Sequence, residues 1–543
     1  MIYRDDLLFD RGALQHAFTC EPFHNLVQHN LIAEDGVSFK FRRDPAESKA
    51  DFFASEDRWC RPVMVRTGPD GALWVVDMYR YMIEHPQFLP EEGKDELRPW
   101  YRAGENRGRI FRVVRNDRPK REIPKLAKLT QQQLVDALES QNGWQRDTAQ
   151  RMLVRNGTAR SSATVKRLTE MAVNSKQPLA RIHALWTLDG LGALSSATLE
   201  TALGDRHAGV RRNALRLAAT IKVEIGSLET LVNDPHAKVR LELASTLGEY
   251  ESPRASAALT KLAIHSSDEP YIIAAVMSSL NPSNVLDVFE AVVESSESGS
   301  QKIVSDLIEQ AVAMGDENTV ERVIETVVAS QGDDAPIQRF RLVSEMLDAL
   351  ALRNWPAEKL SAAARQSIAS NIRRARDVAA EDEHATDLRV AAIRLLGSAD
   401  GLREDDFQLM RRLLAPRAPL DIQRAVVETL AGRTEDLAAE VLLAGWRSHS
   451  PEIRGRVLDA LASRKSWVGM ILQALEAGTI RANELNASVR QQMLKIGGNS
   501  AALGKALAVT ASTERADVLR RFKSALTLSG DVERGATIFR KRC

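Results

Sequence analysis

The fold of this chain is decided by two short stretches of sequence, Val210-Arg211-Arg212-Asn213-Ala214-Leu215 and Val239-Arg240-Leu241-Glu242-Leu243-Ala244. Each has an apolar residue, an arginine, two variable residues and two small or aliphatic residues, and the two begin 29 residues apart. Further copies begin at Ala180, Leu388 and Ile453, and a variant that begins at Ile422 has Gln423 in place of the arginine. A period of about 30 residues is typical of a solenoid of stacked helix pairs.

Residues 123–525 are therefore predicted to form helical repeats, because apolar residues at helical spacing give each helix one stripe to bury against its neighbours. The turns Asn233–His236 and Ser448–Pro451 are expected to precede the second helix of a pair, since Asn, Asp, Ser and Pro favour helix starts. The arginine is expected to point along the stack toward an acid such as Asp205 or Asp234. The pattern resembles the short form of the HEAT repeat and is less regular from about 280 to 380.

Histidines also follow the repeat, at positions 183, 207 and 236. Because their spacing is that of the repeat, they mark equivalent helix or loop positions, and no metal site is predicted from them.

The overall composition excludes some classes of protein. The chain has 543 residues and a formal net charge of +1, so no basic footprint for nucleic acid or an anionic membrane is present. Three cysteines argue against a disulfide scaffold. No apolar run is long enough to span a bilayer, and the first residues lack the basic and apolar regions of a signal peptide.

Residues 1–122 are predicted to be β-structure. Val63–Thr67 and Ala72–Asp77 are predicted to be the two strands of a β-hairpin. The residues between them, Gly68-Pro69-Asp70-Gly71, are typical of a tight turn, in which Pro presets φ and Gly accepts positive φ. Arg109–Val114 is a further strand, and the long intervening segment is expected to be a loop at a rim.

Ordered motifs in this region resemble the membrane-bound dehydrogenase-type propeller of planctomycetes and verrucomicrobia. These are Cys20–Val27, Phe53–Val63, Gly68–Arg80, Ile83–Pro86 and Arg107–Arg112. The resemblance implies that 1–122 are the C-terminal blades of a β-propeller, with the earlier blades and any signal peptide expected upstream. It also implies HEAT repeats and a c-type cytochrome domain downstream. Cys60 departs from the family, which more often has an aromatic residue there.

Polar residues at the predicted rim are the candidate site, and each allows a structural alternative. His24, Asn25, Glu84 and His85 are weak candidates for catalysis; Glu84 and His85 are an acid–base pair, although sequence neighbours rarely face one another.

A second set of rim residues, Asp77, Tyr79, Arg80 and Arg107, is predicted to face a substrate or cofactor. Asp77 either ligates a cation or caps its loop. His29 is predicted to lie with His24 and Asn25 at the rim. Arg58, Arg61 and Arg107 are predicted either to bind an anionic substrate or to pair with local acids.

The C-terminal stretch Gly530–Cys543 resembles the opening of a class I cytochrome c. Gly535 and Phe539 fit helix-packing positions, and Cys543 fits the first heme-attaching cysteine. The resemblance implies heme c in the full-length parent only, since the second cysteine and the axial histidine would come next. Residues 526–543 are thus predicted to begin a truncated cytochrome domain, and no cofactor is expected on this fragment.

The predicted fold class is mainly α, a HEAT-like α-solenoid preceded by propeller blades. The predicted parent is an oxidoreductase of the periplasm or cell envelope, in which a propeller dehydrogenase oxidises a small organic substrate and passes electrons to the cytochrome. The propeller's own cofactor, a quinone or a metal, stays open. The alternatives are a non-catalytic scaffold that binds a protein partner on its repeats, and a HEAT-type lyase or assembly factor. Fold resemblance alone does not decide among them.

Overall fold

The computed structural model describes residues 1–10, 12, 14–83, 85–89, 91–155, 161–295, 299–329, 336–399, 401–497, 520–523 and 530–542. Its chain divides into two compact units, Met1–Gly315 and Asp316–Cys543. The first unit contains two small β-sheets and the first helical repeats, and the second contains helical repeats.

The first sheet has four antiparallel strands in the first unit. Strand β2 (Leu26–Asp35) pairs with β1 (Gln15–Glu21) on one side and with β3 (Ser38–Arg43) and the short β4 (Phe53–Ala54) on the other. An isolated bridge joins Ile2 to Ala17 on β1.

The second sheet is a three-stranded antiparallel meander of β5 (Pro62–Thr67), β6 (Leu73–Asp77) and β7 (Arg109–Val113). The predicted hairpin at Gly68–Gly71 is confirmed, and Gly71 has a φ of +86°. Buried Asp70 accepts hydrogen bonds from the Ala72 amide at 3.3 Å and from Trp74 Nε1 at 3.2 Å, so it fixes the turn.

The two sheets share one apolar core. Its buried members are Tyr3, Leu8, Phe18, Val27, Val65, Leu73 and Val75. Small antiparallel sheets packed in this way are consistent with a fragment of a propeller.

Helices account for most of the described chain. Those of the first unit are α1 (Lys94–Leu97), α2 (Gln131–Ala137), α3 (Gly143–Arg155), α4 (Ser162–Asn174), α5 (Pro178–Gly190), α6 (Ser196–Leu203), α7 (Ala208–Ala218), α8 (Ile225–Glu229), α9 (Ala237–Leu247), α10 (Pro253–His265), α11 (Pro270–Ser278), α12 (Val285–Glu294) and α13 (Ser300–Met314). Short 3₁₀ helices span Pro45–Glu47, Pro86–Phe88, Arg98–Trp100 and Leu126–Lys128.

The helices of the second unit are α14 (Glu317–Ala329), α15 (Pro336–Leu352), α16 (Ala362–Ala380), α17 (Thr386–Ser398), α18 (Glu404–Leu413), α19 (Leu420–Ala431), α20 (Asp436–Leu443), α21 (Pro451–Leu461), α22 (Lys465–Glu476), α23 (Ala487–Gly497) and α24 (Val532–Arg542). Helices α13, α15 and α16 have 15, 17 and 19 residues, so this region has longer helices than the 11 residues of α7 and α9.

In the first unit the helices stack in two rows, as the periodicity predicted. Helices α3, α5, α7, α9 and α11 contact one another in sequence, and α2, α4, α6, α8 and α10 form the second row. The predicted turn before α9 and the predicted start of α21 at Pro451, capped by Ser450, are confirmed.

The repeat arginines Arg181 and Arg211 form a ladder of ion pairs along the first row of helices. Arg181 donates Nε and Nη2 to Asp205 at 2.6 and 2.7 Å, and Arg211 does the same to Asp234 at 2.7 and 2.8 Å. Each also donates Nη1 to a backbone carbonyl six residues earlier, Ser175 or Asp205. The prediction that the arginine reaches Asp205 and Asp234 is confirmed. Each guanidinium also donates to a carbonyl group near a helix C-terminus that has no hydrogen-bond partner within the helix.

The second sheet is tied to the first helix pair within the first unit. Arg4 forms a bidentate pair with Asp147 on α3 at 2.6 and 2.9 Å. Buried Asn142 donates to Asp5 Oδ2 at 2.7 Å and to the Gly68 carbonyl at 2.8 Å. Sheets and repeats therefore fold against each other.

The predicted segment boundaries at 122 and 525 stay predictions. Strand β7 ends at Val113 and the first repeat helix begins at Gln131, on either side of 122. Residues 524–529 and Cys543 lie outside the described residues.

Candidate functional site

Asp77 is the centre of a hydrogen-bonded group of loops at the end of β6. Its buried carboxylate accepts from the amides of Arg61 at 2.7 Å and Tyr79 at 2.8 Å, and from Arg109 Nε at 2.8 Å. Burial opposes ionisation, but these three donors outweigh it and hold the pKa of Asp77 below its ordinary value. The carboxylate therefore acts as a loop cap in this geometry.

Two arginines bind the surrounding loops through backbone carbonyls. Buried Arg61 donates to the carbonyls of Pro22, Phe23, Arg80 and Tyr81. Arg80 donates to those of Met78, Tyr79, Gly104, Glu105 and Arg107. Both side chains use their N–H donors to hold loops in place. The sequence could not predict this role, because the acceptors are backbone atoms up to 39 residues away.

Tyr79 and Arg109 stack beside Asp77. Tyr79 has a φ of +54°, and the Arg109 guanidinium lies 4.2 Å from the centre of its ring. Trp59 packs against Tyr79 with ring centres 5.7 Å apart. A non-glycine residue at positive φ is held only where its surroundings over-determine it, so this stack fixes the loop.

The four weak catalytic candidates are dispersed among local contacts. His24 is exposed, with Nδ1 3.7 Å from Glu21 Oε1. Asn25 has a φ of +62° and donates to the carbonyls of Cys60 and Arg58. His85 Nδ1 accepts from the Gln87 amide at 3.3 Å. Glu84 lies outside the described residues, and within the described part no hydrogen bond or ion pair joins His24, Asn25 and His85. Their catalytic role stays a prediction.

His29 lies apart from His24, in the interior of the first sheet. Its Nδ1 is 2.8 Å from Glu47 Oε1 and its Nε2 is 2.9 Å from His16 Nδ1. The alternation of β2 could have shown this, because His29 shares the face of Val27 and Leu31, and all three are buried.

A cleft of about 820 Å³ lies between the second sheet and α3. Its lining includes Trp74, Trp144, Ile123, Arg66 and Arg151. This cleft was not predicted, since its walls come from segments that lie far apart in the sequence, from Arg66 to Trp74 and from Ile123 to Arg151.

A second opening, here called the α11–α13 groove, has a volume of about 490 Å³ and interrupts the arginine ladder. On α11, Ile273 occupies the position that Arg211 and Arg240 occupy in the preceding copies. The groove is lined by Pro270, Ile273, Ala274, Met277 and Ile303, together with Ser267, Asp268, Lys302 and Asp306. Tyr271, 60% exposed, is the second residue of α11. An apolar side chain in place of the ion pair thus leaves an apolar groove on the repeat surface.

Two further features bear on function, a metal-binding cluster and a membrane-spanning helix. No group of three or more His, Cys, Asp or Glu side chains within the described ranges is arranged to hold a metal ion. Of the helices that the structure describes, none has both the length and the apolar character that crossing a bilayer requires.

Comparison with protein families gives two matches. Residues 1–117 match a domain of unknown function, DUF7133, and residues 195–281 match HEAT repeats. The chain therefore contains HEAT repeats and is mainly helical, as the sequence predicted. No curated protein sequence matches it.

Solved structures that align with this chain include karyopherins. Kap121p bound to Ste12p is 13% identical, with a TM-score of 0.45 and coverage of 73% of this chain and 48% of that one. Kap121p bound to the extreme C-terminus of the protein phosphatase Cdc14p is 13% identical, with a TM-score of 0.43 and coverage of 72% and 47%. An engineered protein is 16% identical, with a TM-score of 0.25 and coverage of 70% and 97%. This chain spans about half the length of the karyopherins.

Proposed function

We propose that this chain is a protein-interaction scaffold whose HEAT repeats bind a protein partner. The observation that carries the proposal is the α11–α13 groove, where Ile273 replaces the ladder arginine and apolar side chains line an open surface beside exposed Tyr271. Exposed apolar surface rimmed by charged residues is typical of protein-binding sites.

The geometry of the predicted rim supports the same proposal. Asp77, Arg61 and Arg80 use their polar atoms to hold loops in place. The polar atoms of these three side chains are thus engaged in maintaining the fold.

Site-specific photo-crosslinking in the source cells tests the scaffold. p-Benzoylphenylalanine replaces Tyr271 in the groove and, as the matched control, Val173, which is 41% exposed on α4 in the other row of helices. One discrete crosslinked protein is expected from position 271, and it is expected to weaken in Ala274→Arg, which fills the groove. Equal labelling from both positions would show that the groove is not the partner surface.

The parent oxidoreductase of the periplasm or cell envelope is the second proposal. Two observations favour it: the paired antiparallel sheets of residues 1–113, and helix α24, which begins at Val532 just after Gly530 and Asp531 as in a cytochrome c opening. In that parent the propeller would oxidise a small organic substrate, and Cys543 would attach heme. Peroxidase staining of the gene product from its source cells tests this, and a product without covalent heme would refute it.

A further inference from the structure

A pocket of about 270 Å³ lies in the second unit, among α15, α16, α17 and the start of α18. Its floor is apolar and is formed by Leu347, Leu360, Ile368, Ala369, Ile372 and Leu396. Ile368 and Leu396 are buried, whereas Leu347, Leu360 and Ile372 are half-buried, so part of this apolar surface meets solvent. The volume lies just below the range of about 300–1,000 Å³ typical of small-molecule sites, so the pocket suits a side chain better than a whole small molecule.

The rim of this pocket carries four arginines and one acid, Asp406. Asp406 is already occupied: Arg376 Nη2 donates to it at 3.0 Å, Arg376 Nε donates to its other oxygen, and the Arg403 amide donates at 3.0 Å. Burial opposes its ionisation, but these donors hold the pKa of Asp406 below its ordinary value. The acid is therefore neutralised by Arg376.

The other three arginines, Arg365, Arg373 and Arg403, have exposed side chains. No carboxylate among the residues that the structure describes lies within ion-pair distance of their guanidinium groups. Nearby acids act elsewhere: Asp377 and Asp405 influence Arg376, and Glu321 accepts from the Ser361 amide. Arg403 is near enough to Asp406 for its charge to help lower the pKa of that carboxyl. Arg365 and Arg373 have no acid partner among the described residues, so the rim carries an excess of positive charge around an apolar floor.

We infer that this arginine-rimmed pocket binds an acidic segment of a protein partner, an inference that rests on the proposed scaffold function. One aliphatic or aromatic side chain of the segment enters the apolar floor, and flanking carboxylates pair with Arg365, Arg373 and Arg403. Guanidinium groups suit such pairing because their fork matches a carboxylate. The apolar floor favours a peptide over a phosphate or a nucleic acid backbone, which has no apolar group to bury there.

Selection of random peptides displayed on phage against the full chain tests this inference. The enriched peptides are expected to share an aromatic or aliphatic residue with acidic residues on both sides. A synthetic, fluorescein-labelled copy of the most enriched peptide then serves as the probe in anisotropy titrations. Binding is expected to weaken about tenfold as salt rises from low to near-physiological strength and beyond, since exposed charge pairs are screened.

The double variant Arg365→Glu/Arg373→Glu is expected to lower the affinity for this probe by at least about tenfold. Its matched control, Arg411→Glu/Arg417→Glu, makes the same charge change at exposed arginines outside the pocket lining. Far-UV circular dichroism verifies that both variants are folded. Inorganic phosphate is expected not to displace the probe.

Selection of no peptides or of non-acidic peptides, unchanged affinity in the double variant, or full displacement by phosphate would each overturn the inference. The crosslinking experiment at Tyr271 is independent of this pocket. If the peptide experiments fail but Tyr271 crosslinks to one protein, the pocket does not bind an acidic segment, whereas the proposed scaffold function is retained.

Discussion

At the scale of single residues, the ladder between Arg211 and Asp234 shows how a buried charge is made tolerable. The guanidinium of Arg211 meets both carboxylate oxygens, and Asp234 Oδ1 also accepts from the His236 amide at 2.9 Å. A buried pair of this kind roughly balances its desolvation cost, but removing one partner leaves a buried charge unpaired.

Asp234→Ala is therefore expected to destabilise the first unit by roughly 3–5 kcal/mol. Gln423 occupies the arginine position in another copy and donates to the Ala418 carbonyl at 2.7 Å. Adding Arg211→Gln to Asp234→Ala should consequently recover part of the lost stability. The neutral amide of Gln can still donate to the Asp205 carbonyl that Arg211 binds, and it leaves no buried charge unpaired. Urea denaturation followed by circular dichroism measures both, and a double variant less stable than Asp234→Ala would contradict the account.

His183 makes stability depend on pH. Burial, with Arg146 and Arg4 nearby, lowers its pKa from 6.5 to about 4, and its side chain is 12% exposed. The unfolded chain therefore binds more protons between those two pH values, so stability is complete above pH 6.5 and is lost as the pH falls toward 4. The loss from this residue is up to roughly 3 kcal/mol.

His183→Gln is expected to flatten that part of the pH profile, since Gln can keep the contact with Gln150 but does not titrate. The pKa values of His16, His207 and His449 are also lowered, with burial as the main cause, so the slope should decrease rather than vanish. Melting temperatures at a series of pH values provide the measurement. An unchanged slope in the variant would show that His183 is not its source.

At the scale of elements, the β5–β6 hairpin depends on Gly68 because Trp74 lies against it. A Cβ on Gly68 would be 2.3 Å from Trp74 Nε1, and the indole is held by its hydrogen bond to Asp70. Gly68→Ala is expected to cost about 1–3 kcal/mol, as overpacking does. Gly455→Ala on α21 is the matched control, where nothing lies within 4 Å of the added methyl. It should stabilise by roughly 0.5–1 kcal/mol.

Thermal melts of the two alanine variants separate steric conflict from a general effect of replacing glycine. Tryptophan fluorescence provides a second readout, since displacement of Trp74 changes its surroundings. Equal melting temperatures for Gly68→Ala and the parent would mean that the indole moves aside without cost.

The elements were predictable to different degrees. The repeat spacing of Val210 and Val239 predicted both helix rows and the Arg211–Asp234 pair, because helix periodicity and charge pairing are local rules repeated along the chain. The hairpin at Gly68 followed from turn chemistry. The roles of Arg61 and Arg80 could not be predicted, since backbone carbonyls carry no residue type to recognise. The same holds for the pocket of the second unit, whose walls come from four separate segments.

At the scale of the whole molecule, the first unit is a joint product of sheets and repeats. On the helical side, Asp147 pairs with Arg4, and Asn142 donates to Asp5 and to the Gly68 carbonyl on the sheet side. A further contact joins Glu34, near the tip of the β2–β3 hairpin, to Lys238 in the first turn of α9 at 3.1 Å. A polypeptide that ends at residue 122 loses all of these partners.

Residues 1–122 alone are therefore expected not to melt cooperatively, because their outer strands keep unpaired edges and their buried polar groups lose acceptors and donors. Residues 1–315, which form the complete first unit, are expected to melt in one cooperative transition. Circular dichroism melts and limited proteolysis of the two polypeptides measure the difference. Protease-resistant, cooperatively melting β-structure in 1–122 would show that the sheets are an autonomous domain, and the contacts of Asn142 and Lys238 would then serve only to attach the sheets to the repeats.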